Sequence, residues 1–291
     1  MTRICRFDDD RLGLVQGNEI LDVTAALDGL PRPRWPLPRA DLLVRHLDDI
    51  VRRARELSDR ARRLKVADAR LLSPIANPPK IIAAPVNYLR HQAEALADGG
   101  VNFEKNVKTI VEYGLFLKSA TSHVGASQGV EIRFPDRRTD HEIELVAVIG
   151  REGRDIPASR ARQHIAGYTI GLDMTVRGPE DRSLRKSLDG FSVLGPWLVT
   201  ADEILDPNAL SLRLEVNGEL RQSASTCDLI FNVERLVEYA SSYYTLYAGD
   251  VIFTGTPEGV GPVRPGDVMR CVIEQIGEMR VAVTGSRAAR T

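Results

Sequence analysis

Short segments in which apolar and polar residues alternate dominate the chain after Phe116, and this two-residue period is typical of β-strands. The segments are GLFLKS, EIELVAVIG, AGYTIGLDM, LGPWLVT, LSLRLEVNGEL, GDVIFTGT, DVMRCVIEQIG and MRVAVTG. Strands outnumber helical segments, and short glycine-containing turns separate several of them. The pattern therefore predicts an α+β fold with mixed, largely antiparallel sheets, and not a doubly wound sheet.

Helical periodicity is confined to fewer segments. Apolar residues at three- and four-residue spacing between Ala40 and Lys65 predict an amphipathic surface helix with a break near Ser58. The stretch NVERLVEYASSYYTL predicts another helix with Asn232 as its N-cap, and SRARQHIAG is a shorter helical candidate. Consecutive prolines in ANPPK disfavour regular structure, so we expect a small N-terminal domain over residues 1–79 and a larger domain over residues 80–291.

The segment DHEIELVAVIG carries two carboxylates at alternate positions. Glu142 and Glu144 point to one face of the predicted strand, and apolar side chains occupy the opposite face at positions 143, 145, 147 and 149. Val146 and Val148 continue the glutamate face, which indicates that this face turns inward.

Two interpretations of this glutamate pair remain open. Such pairs are common on solvated strand faces, whereas neighbouring carboxylates in an apolar setting need a cation or strong donors to offset repulsion and lost hydration. Asp173, at the end of the strand-like run AGYTIGLDMT, offers a third oxygen ligand. Three carboxylates without a cysteine or a paired histidine favour Mg²⁺ or Mn²⁺ over Zn²⁺.

Charge and composition exclude several classes of function. The 291 residues carry 39 basic and 40 acidic side chains, a net charge of −1, which provides no overall field for nucleic acid or an anionic membrane. No apolar run reaches the roughly 18 residues that a membrane-spanning helix requires. The three cysteines form no CxxC pair, as expected for a reducing cytoplasm. Small neutral or metal-neutralised ligands fit this composition best.

Other residues with catalytic chemistry are more ambiguous. His91 and Glu94 lie three residues apart, a helical spacing that can form a general base with an orienting carboxylate, although such pairs are also common on surfaces. Arg177 and Lys186 are candidate cations for a substrate carboxylate. Thr256 lies in the glycine-rich loop TGTPEGVGP, which lacks the lysine of a phosphate-binding loop and is interpreted as a rigid turn.

The order of these segments is more informative than any one of them. Together they resemble the signature blocks of the fumarylacetoacetate hydrolase family over roughly residues 81–285. The blocks are PVNYLRHQAE, LFLKS, DHEIELVAVIG, GYTIGLDMTVRG, KSLDGFSVLGPWLVT, VNGEL and GDVIFTGTPEGVG. The resemblance implies a mixed β-roll of layered sheets, usually paired as a homodimer, that binds a divalent ion and a 2-oxo acid. The N-terminal part is variable in this family.

The resemblance also implies roles for individual residues. The implied metal ligands are Glu142, Glu144 and Asp173. The residues implied around a bound 2-oxo acid are Arg177, Lys186 and Thr256. The dyad implied on a lid over the substrate is His91 with Glu94.

One departure from the family pattern concerns Glu180. Members that act on simple acylpyruvates or oxaloacetate generally carry RDxQ after the arginine, whereas this chain reads RGPE. An ionised carboxylate only accepts where the glutamine amide would donate. We therefore expect Glu180 to contact the substrate and to shift substrate choice away from simple acylpyruvates.

The residues and the resemblance together predict divalent-metal-dependent hydrolysis of a carbon–carbon bond in a β-diketo acid from aromatic ring cleavage. His91, supported by Glu94, would activate a water, while Lys186 and Arg177 hold the anionic end of the substrate. Two alternatives remain open. One is decarboxylation or isomerisation of a 2-oxo-dioate, which passes through the same enolate, and the other is a non-catalytic protein that binds a metal and a 2-oxo acid.

Overall fold

The computed structural model describes residues 1–97 and 107–286. In chain order the strands are β1 (Arg3–Phe7), β2 (Arg11–Gln16), β3 (Glu19–Asp22), β4 (Arg62–Lys65), β5 (Leu71–Leu72), β6 (Ile81–Ala83), β7 (Phe116–Lys118), β8 (His123–Gly125), β9 (Val130–Ile132), β10 (Thr139–His141), β11 (Ile143–Ile149), β12 (Ile165–Asp173), β13 (Thr175–Val176), β14 (Ser192–Thr200), β15 (Ser211–Val216), β16 (Glu219–Ser225), β17 (Val251–Phe253), β18 (Gly261–Pro262), β19 (Val268–Ile273) and β20 (Gly277–Gly285). The α-helices are α1 (Leu42–Arg45), α2 (Leu47–Leu57), α3 (Leu89–Ala97), α4 (Ile110–Tyr113), α5 (Arg182–Arg185) and α6 (Val233–Tyr243). The 3₁₀ segments are Thr24–Gly29, Ser58–Arg60, Val66–Asp68, Ala120–Ser122, Ala126–Gln128, Ala158–His164, Ala201–Glu203 and Thr226–Asp228.

Strands contain more of the described residues than helices do, and they form mixed sheets. The largest runs in the order β4-β3-β2-β1-β14-β12-β11-β17-β6-β7, with β5 paired to β1 and β8 paired to β14. A second sheet has the order β16-β15-β19-β20-β9, and a small one joins β13, β10 and β18. Antiparallel pairs predominate, although β17 runs parallel to β6 and β14 parallel to β8. The α+β class with largely antiparallel sheets, predicted from the alternating pattern, is confirmed.

The N-terminal segment continues the large sheet instead of forming a sheet of its own. Strand β1 pairs with β14, so that Arg3 lies opposite Val199 and Ile4 lies opposite Leu198. Backbone hydrogen bonds therefore join the segment predicted as a small N-terminal domain to the centre of the larger one.

The central strand β11 separates two apolar clusters, as its alternation predicts. The side chains at positions 143, 145, 147 and 149 pack in a cluster with residues of α6 and of the second sheet. Val146 and Val148 pack on the other side with residues of α1 and α2. Because both faces are covered, every residue of β11 is buried, and the carboxylates that continue the Val146 face are removed from bulk water.

The amphipathic segment between residues 40 and 65 contains less helix than its periodicity predicts. Helix α2 ends at Leu57, and the break near Ser58 is confirmed. The residues that follow form β4, because pairing with β3 satisfies their backbone groups. Asn232 caps α6 as predicted. The segment SRARQHIAG is 3₁₀ as far as His164 and then enters β12, so it is not α-helical. No helix in the described parts of the chain is long and apolar enough to cross a membrane.

Candidate active site

Three carboxylates converge where β10, β11 and β12 meet. Glu142 lies between β10 and β11, Glu144 lies in β11, and Asp173 ends β12. Antiparallel pairing sets their register, and the Asp173 N–H donates to the Glu142 carbonyl oxygen over 2.9 Å. One oxygen from each carboxylate lies within 4.8 Å of the others, and all three side chains are buried. Burial rules out the solvated strand face, so a cation or strong donors must offset the repulsion among these carboxylates.

Two buried lysines contact this carboxylate cluster. Lys186 Nζ bridges Glu142 Oε2 and Asp173 Oδ2, at 2.6 and 2.7 Å. Lys118 Nζ donates to the other Asp173 oxygen at 2.5 Å and to a backbone carbonyl at 2.7 Å. Each oxygen of Asp173 therefore accepts from an ammonium group, which holds the carboxylate in one orientation.

Arg177 links the cluster to β10. Its Nε donates to Asp140 at 2.8 Å, and its Nη2 donates to Glu142 Oε1 at 2.8 Å. Asp140 also accepts from Arg138 over 2.7 Å. Arg177 is therefore already bound to two carboxylates, so it positions Glu142 in addition to contributing positive charge.

The two glutamates have opposite electrostatic environments. Burial alone would raise the pKa of Glu142, but the charges of Lys186 and Arg177 outweigh this effect and hold that pKa well below its usual range. Burial raises the pKa of Glu144 well above its usual range, and repulsion by Asp173 and Glu142 raises it further. Glu144 is therefore the carboxylate that most requires an additional positive charge.

The donor set fits a hard divalent cation. The cluster offers carboxylate oxygens and no sulfur, which matches the preference of Mg²⁺ and Mn²⁺. A cation among the three carboxylates would also relieve the repulsion that acts on Glu144. Glu142, Glu144 and Asp173 are thus the residues that would hold it.

Lys118 is a site residue that the sequence analysis does not assign. It shares the buried face of β7 with Phe116, while Leu117 between them is exposed. Lysines are almost never fully buried unless they are paired. The position of a lysine on the apolar face of a strand could therefore have indicated that Lys118 pairs with a buried carboxylate.

Replacing Lys118 with methionine is expected to lower the free energy of unfolding by about 3 kcal/mol, because Asp173 loses a buried ionic partner. Urea denaturation of the metal-free protein measures this change. Lys65→Met is the matched control, since Lys65 is exposed on β4. Equal stability losses in the two variants would contradict a paired role for Lys118.

The His91 and Glu94 pair lies on α3, and His91 lines a cavity that the three carboxylates also line. The distance from His91 Nδ1 to Glu94 Oε2 is 3.0 Å. The other Glu94 oxygen accepts the Gly259 N–H over 2.8 Å, so this carboxylate is held from two sides. His91 is only 7% exposed and lines the cavity above the carboxylate cluster. It is therefore not a surface residue, and its Nε2 is the ring nitrogen left for a water or substrate.

The glycine-rich loop after β17 connects the dyad to the carboxylates. The Gly255 N–H donates to Glu144 at 2.6 Å, and the Thr256 hydroxyl donates to a β11 carbonyl oxygen at 2.9 Å. Gly259 has a φ of +91°, and a Cβ there would lie 1.9 Å from the Arg221 carbonyl oxygen, so the position requires glycine. The loop is the rigid turn that its sequence predicts, and Thr256 lines the cavity.

Most of the predicted site residues line this one cavity, together with aromatic and basic residues that the sequence analysis does not assign. The predicted residues that line it are His91, Glu142, Glu144, Asp173, Arg177, Lys186 and Thr256. The added residues include Tyr113, Phe116, Arg182 and Arg185. The two added arginines belong to α5, in the basic run RSLRK.

Glu180 does not line the cavity. Its carboxylate oxygens accept from Arg137 at 3.0 and 2.7 Å, and its side chain is 37% exposed. The expectation that Glu180 contacts the substrate and shifts its choice does not agree with this position. The Arg137 guanidinium satisfies the carboxylate at the protein surface.

The fold and the site agree with one enzyme family. The family model described as Fumarylacetoacetate (FAA) hydrolase C-terminal matches residues 80–284. The chain belongs to the fumarylacetoacetate hydrolase family and is an enzyme of that family.

Several relatives make the comparison more specific. The chain is 55% identical to maleylpyruvate hydrolase from Aquipseudomonas alcaligenes, over 97% of this chain and 99% of that protein. It is 40% identical to a mitochondrial oxaloacetate tautomerase from Xenopus laevis, over 71% of this chain and 66% of that protein. The crystal structure of maleylpyruvate hydrolase from Sphingobium sp. SYK-6 with manganese(II) and pyruvate matches with a TM-score of 0.83 at 38% identity, and covers 98% of this chain and 100% of that one.

Proposed function

We propose that this protein is a divalent-metal-dependent hydrolase that cleaves a carbon–carbon bond in an acylpyruvate-type 2,4-dioxo acid during aromatic catabolism, with maleylpyruvate as its substrate. The observation that carries this proposal is that a three-carboxylate cluster and the histidine of a His–Glu dyad line one cavity. The relative with 55% identity, a maleylpyruvate hydrolase, supports the choice of substrate.

The carboxylate cluster would hold Mg²⁺ or Mn²⁺. A bound divalent ion supplies Lewis acidity toward the carboxylate and 2-oxo oxygens of a substrate. The manganese(II) and pyruvate in the Sphingobium relative support this role. Arg177 and Lys186, which already contact Glu142, add positive charge for the anionic end of the substrate.

The dyad supplies the base for hydrolysis. Glu94 accepts the Nδ1–H of His91, which leaves Nε2 unprotonated to take a proton from the attacking water. The water oxygen adds to the C4 carbonyl, and the C3–C4 bond then breaks with its electrons remaining on the pyruvate fragment. The imidazolium returns its proton to C3. The products are pyruvate and an acid, which is maleate when the substrate is maleylpyruvate.

Tautomerisation of a 2-oxo acid is the second candidate reaction, because a relative with 40% identity is an oxaloacetate tautomerase. The same dyad would remove and return a proton at C3 without adding water. Decarboxylation or isomerisation of a 2-oxo-dioate would need the same charge stabilisation. The buried histidine with a fixed carboxylate partner argues against the non-catalytic alternative, since a binding protein needs no oriented base.

A substrate panel tests the proposed reaction. Metal-depleted protein, with Mg²⁺ or Mn²⁺ added back, is assayed with maleylpyruvate, fumarylpyruvate, acetylpyruvate, oxaloacetate and 2-oxohept-3-ene-1,7-dioate. We expect metal-dependent release of pyruvate, with the highest kcat/KM for maleylpyruvate. Tautomerisation of oxaloacetate without any pyruvate release from the dioxo acids would select the second candidate instead.

The proposal includes a cytoplasmic homodimer. Homodimers are usual in the family that the sequence resembles, and the free thiols of Cys5, Cys227 and Cys271 suit a reducing compartment. Sedimentation equilibrium would give twice the mass of the 32.2 kDa chain. A monomer mass across the accessible concentration range would contradict the dimer.

A further inference from the structure

Two arginines of α5 line the cavity without an ionic partner among residues 1–97 and 107–286. Arg185 donates through Nε to the Glu180 backbone carbonyl oxygen over 2.7 Å. Its Nη1 is buried and has no hydrogen-bond acceptor in those same residues. Arg182 stacks on the Tyr113 ring, with 4.0 Å between the guanidinium carbon and the ring centroid. Both side chains are therefore held in place, and neither forms a salt bridge within the described residues.

The other cations of the cavity differ in this respect. Arg177 is paired with Asp140 and Glu142, and Lys186 is paired with Glu142 and Asp173. A buried donor without an acceptor is rare in folded proteins and requires an explanation. An anionic group of a ligand is the simplest acceptor for Arg185, because this residue lines the cavity that contains the candidate reaction site.

Among residues 1–97 and 107–286, three carboxylates and four cations line the cavity. Arg177 and Lys186 are engaged by carboxylates of the site, so Arg182 and Arg185 are the cations left for an anionic group of a ligand.

We infer that Arg185, assisted by Arg182, binds a second carboxylate at the end of the substrate remote from its 2-oxo acid group. The preferred substrates are then 2,4-dioxo dicarboxylates, and Arg185 determines this specificity. A guanidinium suits the task because its planar donors match the two oxygens of a carboxylate. This inference rests on the proposed function, whose substrate maleylpyruvate belongs to this class, and it assigns a specificity-determining residue at the same site.

The test compares maleylpyruvate, which has a second carboxylate, with acetylpyruvate, which lacks it. The measured quantity is the kcat/KM for maleylpyruvate divided by the kcat/KM for acetylpyruvate. In the Mn²⁺-loaded enzyme, Arg185→Gln is expected to lower this ratio by about 10- to 100-fold, the effect of losing a hydrogen bond to a charged group. Arg182→Gln should lower the ratio less. Arg52→Gln, on the exposed side of α2, should retain the wild-type ratio.

A binding measurement tests the role of Arg185 without relying on turnover. Calorimetric titration of the Mn²⁺-loaded protein with maleate should show roughly tenfold weaker binding in Arg185→Gln than in wild type, while pyruvate binding changes less. If the wild-type protein hydrolyses neither dioxo acid, the proposed function fails. Equal maleate affinities in wild type and Arg185→Gln would separately overturn the arginine assignment. An unchanged ratio of kcat/KM values in Arg185→Gln would also overturn it. Should Arg185→Gln fail to fold, the kcat/KM ratio and the maleate affinity are measured in Arg185→Lys and Arg182→Gln instead. Wild-type values of both quantities in both variants would also overturn the arginine assignment.

Discussion

His91→Ala is expected to lower kcat for maleylpyruvate by about 100- to 10,000-fold, the contribution typical of a positioned general base. His91 is held by Glu94 through Nδ1 and lines the cavity. Its loss should leave the affinity for Mn²⁺ close to that of wild type, because the three carboxylates are intact. Steady-state kinetics together with calorimetric Mn²⁺ titration separate these two effects.

A Glu94→Gln variant tests the orientation of the histidine more sharply. The glutamine oxygen can still accept the Gly259 N–H, so its NH₂ group would face His91 and donate to Nδ1. His91 would then carry its proton on Nε2 and could not accept one from water. We expect a loss of turnover comparable to that of His91→Ala, with a free energy of unfolding near the wild-type value.

Glu180→Gln is the matched control, because it makes the same chemical change at a residue paired with Arg137 outside the cavity. It should keep wild-type turnover. Unimpaired turnover of the best substrate by His91→Ala would remove the dyad from the reaction. A loss restricted to hydrolysis, with oxaloacetate tautomerisation retained, would assign His91 to water activation alone.

Glu144→Gln is expected to abolish metal-dependent turnover and to weaken Mn²⁺ binding. Loss of a residue that only hydrogen-bonds to a metal ligand typically weakens metal binding roughly 10- to 100-fold, and we expect a larger effect for Glu144 as a ligand. The substitution keeps the size of the side chain and removes the charge. Glu144 shares the cluster with Glu142 and Asp173, and their oxygens lie within 4.8 Å of one another. Glu180→Gln again provides the control, and equal Mn²⁺ affinity in the two variants would remove Glu144 from the metal site.

The pH dependence of metal binding provides a second test of Glu144. In the metal-free protein, burial and repulsion raise the pKa of this carboxyl, so it stays protonated to a higher pH than usual. A cation must displace that proton, and the apparent affinity for Mn²⁺ therefore rises as the pH rises. Calorimetry in buffers of different ionisation enthalpy should detect proton release in wild type and a smaller release in Glu144→Gln.

The strand pattern was sufficient to predict the fold class and the paired glutamates. The alternation in β11 identifies the two faces correctly. Val146 and Val148 pack in one apolar cluster, and the side chains at positions 143, 145, 147 and 149 pack in another. Side-chain direction in a strand depends only on sequence parity, so this prediction needs no tertiary information.

Predictions that depend on long-range pairing were less accurate. The residues of β4 lie within the segment that was predicted as an amphipathic helix, but they pair with β3. Residues 1–79 were predicted as a small N-terminal domain, and the pattern gave no sign that their first strand pairs with β14. Apolar spacing reports which side chains are buried and contains no information on which distant strand will satisfy a backbone group.

By itself, the sequence determined which residue types carry the chemistry: two glutamates of equal parity, an aspartate at a strand end, and a histidine three residues before a glutamate. Only the tertiary structure decided which charges meet. It places Lys118 on Asp173, places Glu180 on Arg137 away from the cavity, and leaves Arg185 Nη1 buried without an acceptor in the described residues. Electrostatic interactions depend on distance and burial, and residues far apart in sequence acquire both only when the sheets assemble.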